Sequence, residues 1–183
     1  MLINRLRADF FSLRVAAVGL VLAMLGGCVS APDGVQPVDG FELKKYLGKW
    51  YEIARLDHSF ERGLEQISAE YSLREDGGVK VLNSGYSTEK GSWKSAEGKA
   101  YFVKDPHTGH LKVSFFGPFY GAYVIFELDR EHYQYAFVSG PDRSYLWLLS
   151  RTATVSDELL QRFMRVSAEH GFDTSRLIFV KHD

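Results

Sequence analysis

From Trp50 onward, apolar and polar positions alternate with a period of two, and the alternation is broken repeatedly at glycine, proline and aspartate. Ile67-Ser68-Ala69-Glu70-Tyr71-Ser72-Leu73-Arg74 shows the pattern most cleanly: one apolar face and one polar face, the mark of a half-buried strand. The same reading predicts strands over Trp50–Asp57, Ile67–Arg74, Val79–Tyr86 and Gly91–Lys104, the last bent near Glu97-Gly98. It predicts four more over Leu111–Phe116, Tyr120–Leu128, Tyr133–Ser139 and Tyr145–Arg151. Glu75-Asp76-Gly77-Gly78, Asp105–Gly109, Gly117-Pro118, Asp129–His132 and Gly140–Arg143 are the turns between them. A longer loop, 58–66, separates the first two strands.

After Arg151 the period changes. Ser156 is placed to cap a helix, Asp157 and Glu158 suit its positive end, and Leu159, Leu160, Phe163, Met164 and Val166 form a helical stripe. Gly171 ends it, and Leu177–Lys181 reads as a last short strand. Eight strands joined by short turns leave no room for crossover helices, so the sheet is an antiparallel meander. Closing it into an all-β, up-and-down barrel removes its exposed edges. A barrel of that size is just wide enough for one small ligand. The helix therefore packs on the outer wall.

Parity assigns the faces. Ile67, Ala69, Tyr71 and Leu73 share one face, with Val79 and Val81 and then Leu111, Val113 and Phe115 on the strands that follow. If Arg151 points inward, so do Leu149, Trp147 and Tyr145, while Leu146 and Leu148 meet the helix. The strand over Tyr120–Leu128 is apolar on both faces and stays ambiguous. A meander also gathers Trp50, the turn at Asp129 and Arg151 at one end. The loop 58–66 and the aromatic turn Phe116–Tyr120 gather at the other, which reads as a mouth. The short amphipathic piece Phe41–Leu47 runs into Gly48, a corner residue, and then into Trp50, whose ring is placed to plug the closed end.

The chain has 183 residues, a formal net charge of −1 and one cysteine, Cys28. One cysteine excludes an internal disulfide, and the absence of a basic run leaves no footprint for nucleic acid. Residues 1–27 read as a leader: Arg5, Arg7 and Arg14, then an apolar run over Val15–Leu25, ending in Leu25-Gly26-Gly27-Cys28. The run is too short to span a bilayer comfortably. The ending resembles a bacterial lipobox, which implies that Cys28 carries long acyl chains such as palmitate, with release to the outer membrane. Two or three acyl chains anchor firmly where one does not. Residues 28–40 show no periodicity and two prolines, and read as a tether reaching at most about 40 Å when extended. Residues 41–183 are then a single domain.

Gly48-Lys49-Trp50, Asp129 in the turn before Tyr133 and Tyr135, and Arg151 after the last barrel strand resemble the conserved-motif set of the lipocalins. The middle motif departs from the family, with Leu128 and Arg130 where threonine and tyrosine are usual, so only Asp129 carries over. Longer runs, Trp50–Arg55, Phe60–Leu64, Lys112–Gly121 and Gly140–Trp147, look like the bacterial outer-membrane lipocalins of the Blc type. The resemblance implies an outer-membrane lipoprotein that binds lysophospholipids or fatty acids for lipid storage or transport, and a homodimer.

Combined with parity, it nominates Phe60, Tyr71, Val81, Phe102, Val113, Phe115, Tyr135, Arg143, Tyr145 and Trp147 as ligand-binding residues. Gly48, Trp50, Asp129 and Arg151 are nominated as the closed-end motif. Arg143, in a loop at the mouth, is the candidate partner for a phosphate or carboxylate. No Gly-x-Ser-x-Gly elbow, His-Glu-x-x-His or phosphate loop occurs. His107 and His110 share a turn without further clustered ligands, so neither a metal nor a cofactor is expected. Two alternatives to a lipid-binding module stay open at this point: an esterase acting on membrane lipids, and a pigment-binding barrel.

Overall fold

The computed structural model describes residues 29–182. The leader and Cys28 lie outside the described residues. One helical turn, α1 (Leu43–Tyr46), precedes eight antiparallel strands. These are β1 (Gly48–Arg55), β2 (Leu64–Leu73), β3 (Val79–Ser87) and β4 (Ser92–Phe102), then β5 (His110–Ser114), β6 (Gly121–Leu128), β7 (Tyr135–Ser139) and β8 (Leu146–Ser150). Each pairs with the next, and β1 pairs with both β8 and β2, which closes the barrel. The helix α2 (Asp157–Glu169) and a two-residue strand, β9 (Ile178–Phe179), follow. The meander, its closure and the external helix are those the alternation predicts.

The strand β1 serves two neighbours because it bends. Gly48–Tyr51 pair with β2, and Tyr51–Arg55 pair with β8. Where β2 departs, β9 takes its place beside Ala54 and Arg55. Two apolar clusters result. The inner one holds Trp50, Tyr71, Val81, Leu111, Val138 and Leu149. The outer one places Phe163 of α2 against a wall that includes Phe137, Leu146 and Leu148. Ser156 caps α2, its hydroxyl accepting from the Leu159 amide at 3.3 Å.

The ambiguity of the sixth strand has a cause. A bulge between Ile125 and Glu127 lets Phe126 and Glu127 both face outward. Phe126 stacks on Phe172 and Glu127 pairs with Arg162 of α2, while Ile125 and Leu128 face the inner cluster. The seventh strand starts later than its pattern suggests, at Tyr135, because Tyr133 takes φ +54° in the preceding turn.

The segment read as a free tether is instead packed on the barrel. Val35 is 1% exposed and joins the outer cluster. The Val38 amide donates to Ile125 O at 2.8 Å, and the Gly109 amide donates to Val38 O at 2.8 Å. Gly109 is required there, since a Cβ would lie 2.8 Å from Val38 Cγ2. His110 Nε2 reaches Val29 O at 2.8 Å, so chain adjacent to Cys28 already lies on the wall.

Candidate functional site

The closed end is built around Trp50, which is fully buried. Its indole N–H donates to Tyr46 O at 2.7 Å, at the end of α1. The Arg151 guanidinium carbon lies 3.9 Å from the Trp50 ring centroid. The same guanidinium donates to Lys45 O (2.7 Å), Leu47 O (3.0 Å), Lys49 O (2.9 Å) and Tyr133 O (3.2 Å). One cation thus ties the carbonyl end of α1, the start of β1 and the turn before β7. Gly48 takes φ +93° at that corner, a region that favours glycine. Asp129 acts on its own turn, accepting from the amides of Glu131, His132 and Gln134.

Above this floor the barrel encloses a cavity of about 100 Å³. Its wall includes Ile67, Ala69, Tyr71, Val79, Val81, Leu111, Val113, Phe115, Trp147 and Leu149, with Phe60 at the rim. For scale, an apolar cavity of roughly 150 Å³ holds a benzene. The space is therefore narrow, and much of the barrel is filled by its own aromatic rings. The Phe115 ring lies over Gly98, where an added Cβ would sit 2.9 Å away. Near the floor, Tyr46 and Tyr71 both bond the Tyr123 hydroxyl, at 2.7 and 2.8 Å. Burial raises the pKa of all three and keeps them neutral.

A buried polar cluster stands in the wall nearer the mouth. Arg55 Nε lies 3.0 Å from Glu52 Oε1 and 3.6 Å from Glu61 Oε2. His58 Nε2 lies 3.1 Å from the same Glu61 oxygen, and Trp147 Nε1 donates to it at 3.2 Å. Burial holds the His58 ring well below its usual range, at about 4, so it is neutral at pH 7. Phe60 stacks on His58 with centroids 4.0 Å apart and remains 57% exposed, forming part of the rim. The loop residues Phe116 and Phe119 project from the same end.

Of the nominated residues, Phe60, Tyr71, Val81, Val113, Phe115 and Trp147 line the cavity. Tyr145 stands at the rim, with its ring beside His58 and Trp147. Phe102 packs inside the lower core, edge-on to Phe41. Tyr135 faces the other way: on β7 it shares parity with Phe137 and joins the outer cluster under α2. Arg143 is also placed outside the cavity. Its Nε donates to His170 O at 2.9 Å and its Nη2 to Asp33 O at 2.6 Å. It clamps the end of α2 and the N-terminal segment, so its charge is spent on backbone. Leu73, also expected inside, is 58% exposed past the end of the barrel.

Glu52, Glu61 and Tyr123 are lining residues that parity reasoning missed. The signal was present for Glu52, since a glutamate two residues after the inward Trp50 departs from apolar alternation. Among the described residues, no group of three or more His, Cys, Asp or Glu side chains is arranged to hold a metal ion.

A lipocalin-like domain model matches residues 41–182. The chain belongs to the lipocalin family. It is 65% identical over 167 residues to the outer membrane lipoprotein Blc of Vibrio cholerae, covering 90% of this chain and 98% of that one. It is 54% identical over 166 residues to the Escherichia coli protein of the same name, covering 91% and 93%. These lipocalin relatives set the location of this one, the outer membrane, where it is a lipoprotein. Among solved structures, insecticyanin of the tobacco hornworm superposes with a TM-score of 0.67 at 23% identity, covering 84% of this chain and 87% of that one. That likeness is one of fold.

Proposed function

We propose that this lipocalin binds one acyl chain of a lysophospholipid or fatty acid inside the barrel, and stores or moves such lipids at the outer membrane. The observation that carries the reading is the cavity itself: narrow, closed at the Trp50 end, open at an aromatic rim, and walled mainly by apolar side chains. An acyl chain gains about 0.8 kcal/mol for each CH₂ it buries. At about 100 Å³ the space takes only part of a long chain unless rings such as Phe115 swing aside. A second chain has nowhere to go.

The protein acts as a carrier rather than a catalyst in this reading, and without a cofactor. Lipidation of Cys28 supplies the anchor, and the packed segment behind it keeps the barrel near the bilayer. Phe116 and Phe119, 81% and 79% exposed, offer apolar surface for a second copy of the chain, and a homodimer belongs to the same proposal.

Titration followed by tryptophan fluorescence tests it. A lysophospholipid and a fatty acid are expected to bind at about micromolar or better, allowing for the ordering costs of association. A short diacyl lipid is expected to bind at least about tenfold more weakly, a difference of 1.4 kcal/mol. Equal affinity for the diacyl lipid would end the single-chain reading.

A further inference from the structure

The cluster of Glu52, Arg55, His58 and Glu61 is more than a loop fastener. Its side chains are 3–8% exposed, yet Glu52 and Glu61 both form part of the cavity wall. It holds two carboxyl groups and one guanidinium, with a histidine that burial keeps neutral. One carboxyl therefore has no cation of its own. The geometry is also incomplete as hydrogen bonding. Among the described residues, Glu52 Oε1 has the Arg55 ion pair but no hydrogen bond, and the neutral His58 ring leaves one nitrogen able to accept; the unpartnered Arg55 Nε and Nη1 are donors that an ammonium does not meet. Buried polar atoms are rarely left so unless something else meets them.

We infer that this cluster is a headgroup site for the amine of a single-chain amphiphile, with the ammonium set against the Glu52–Glu61 carboxyl pair at the neck of the barrel. The inference rests on the acyl-chain reading above and adds the polar end of the ligand to it. The position is suitable. The chain lies below among Val81, Val113 and Leu149, and the head meets the carboxyl pair before the rim at Phe60. A carboxylate head at the same place would have to share Arg55 with Glu52 and Glu61. The groups facing the pair are Arg55 on β1, His58 in the loop and Tyr71 on β2. Trp147 on β8 adds an N–H, and His182 touches only the backbone O of Glu52. Asp57 and Arg62 pair with each other further out, at 2.6 Å.

Without a ligand the spare carboxyl is shifted toward its protonated form. Burial, and then the charge of Glu61, push Glu52 well above the usual carboxylate range. Burial also raises Glu61, opposed by the Trp147 N–H. An incoming ammonium replaces that proton, which leaves for solvent, while the amine stays charged. Amine binding is thus linked to release of one proton, and its affinity rises with pH up to the raised pKa of Glu52. Carboxylate binding carries the opposite sign, and an uncharged alcohol carries none.

The experiment uses dodecylamine, dodecanol and dodecanoate, which share one chain length, titrated into the intact protein between about pH 6 and 8. The amine is expected to bind most tightly, with affinity rising by up to about tenfold per pH unit. Glu52→Gln is expected to remove both the preference for the amine over dodecanol and the slope. Glu61→Gln serves as the second variant, with the same loss of preference, should Glu52→Gln fold poorly. Equal binding of amine and carboxylate by the unaltered protein, or a slope that persists in the folded variants, overturns the headgroup site. Dodecanol binding without amine preference defeats this inference alone. Failure of all three ligands to bind defeats the acyl-chain reading with it.

Discussion

Trp50→Ala is expected to destabilise the protein by about 3–5 kcal/mol, the range for removing a large, fully buried aromatic. For a chain of this size that corresponds to a fall in melting temperature of roughly 10 °C. Three losses add up at one position. The indole is fully buried, and its removal leaves a void beneath Tyr46, whose ring is 4.7 Å away centre to centre. Its N–H no longer meets Tyr46 O. Arg151 loses the ring it lies on, an interaction of about 0.5–2 kcal/mol, although its four backbone acceptors remain. Thermal denaturation measures the effect. A melting temperature within a degree or two of the unaltered protein would contradict the placement of Trp50 as the plug.

The second large effect concerns binding rather than stability. Val113→Trp is expected to weaken acyl-chain binding by about a hundredfold or more, near 3 kcal/mol. Val113 lines the cavity from β5, opposite Ala100 in the β4 register. An indole there fills most of a space of about 100 Å³. Overpacking costs roughly 1–3 kcal/mol, so the variant is expected to fold with a lower melting temperature than the unaltered protein. Fluorescence titration with a lysophospholipid reads the loss. Retained affinity in the folded variant would move the chain out of the barrel interior.

Much of this molecule is legible in the chain because one interaction, burial of an alternating face, determines most of it. Where that alone decides, as at Ile67, Ala69 and Tyr71, sequence and structure agree. Sequence reasoning fails where a second partner intervenes. Tyr135 has the aromatic character of a lining residue, but the bulge at Ile125/Glu127 and the helix above it create a second apolar layer that claims it. Arg143 reads as a free loop cation because its acceptors, His170 O and Asp33 O, are 27 and 110 residues away in the chain. The segment before Gly40 reads as a tether because its anchorage consists of two separate valines and backbone bonds to Ile125 and Gly109, and none of these produces a period. Glu52 and Glu61 belong to the same class. Their chemistry arises from meeting Arg55, His58 and Trp147 across a loop, which no spacing records.

The proposed role of the Arg55 cluster also bears on why charge is buried there. A buried ion pair is weak evidence for stability, since desolvation offsets much of its attraction. Replacing such a pair by well-packed apolar residues is often neutral or stabilising. Retaining charge beside an apolar cavity is more readily understood as selecting what enters it.

If the barrel carries one acyl chain, identifying its native occupant reveals it. The full-length protein would be extracted gently from its own membrane and weighed intact by native mass spectrometry, with the released ligand then identified. The expected result is a single-chain lipid, one to each barrel. A diacyl lipid or a pigment in its place would contradict the account.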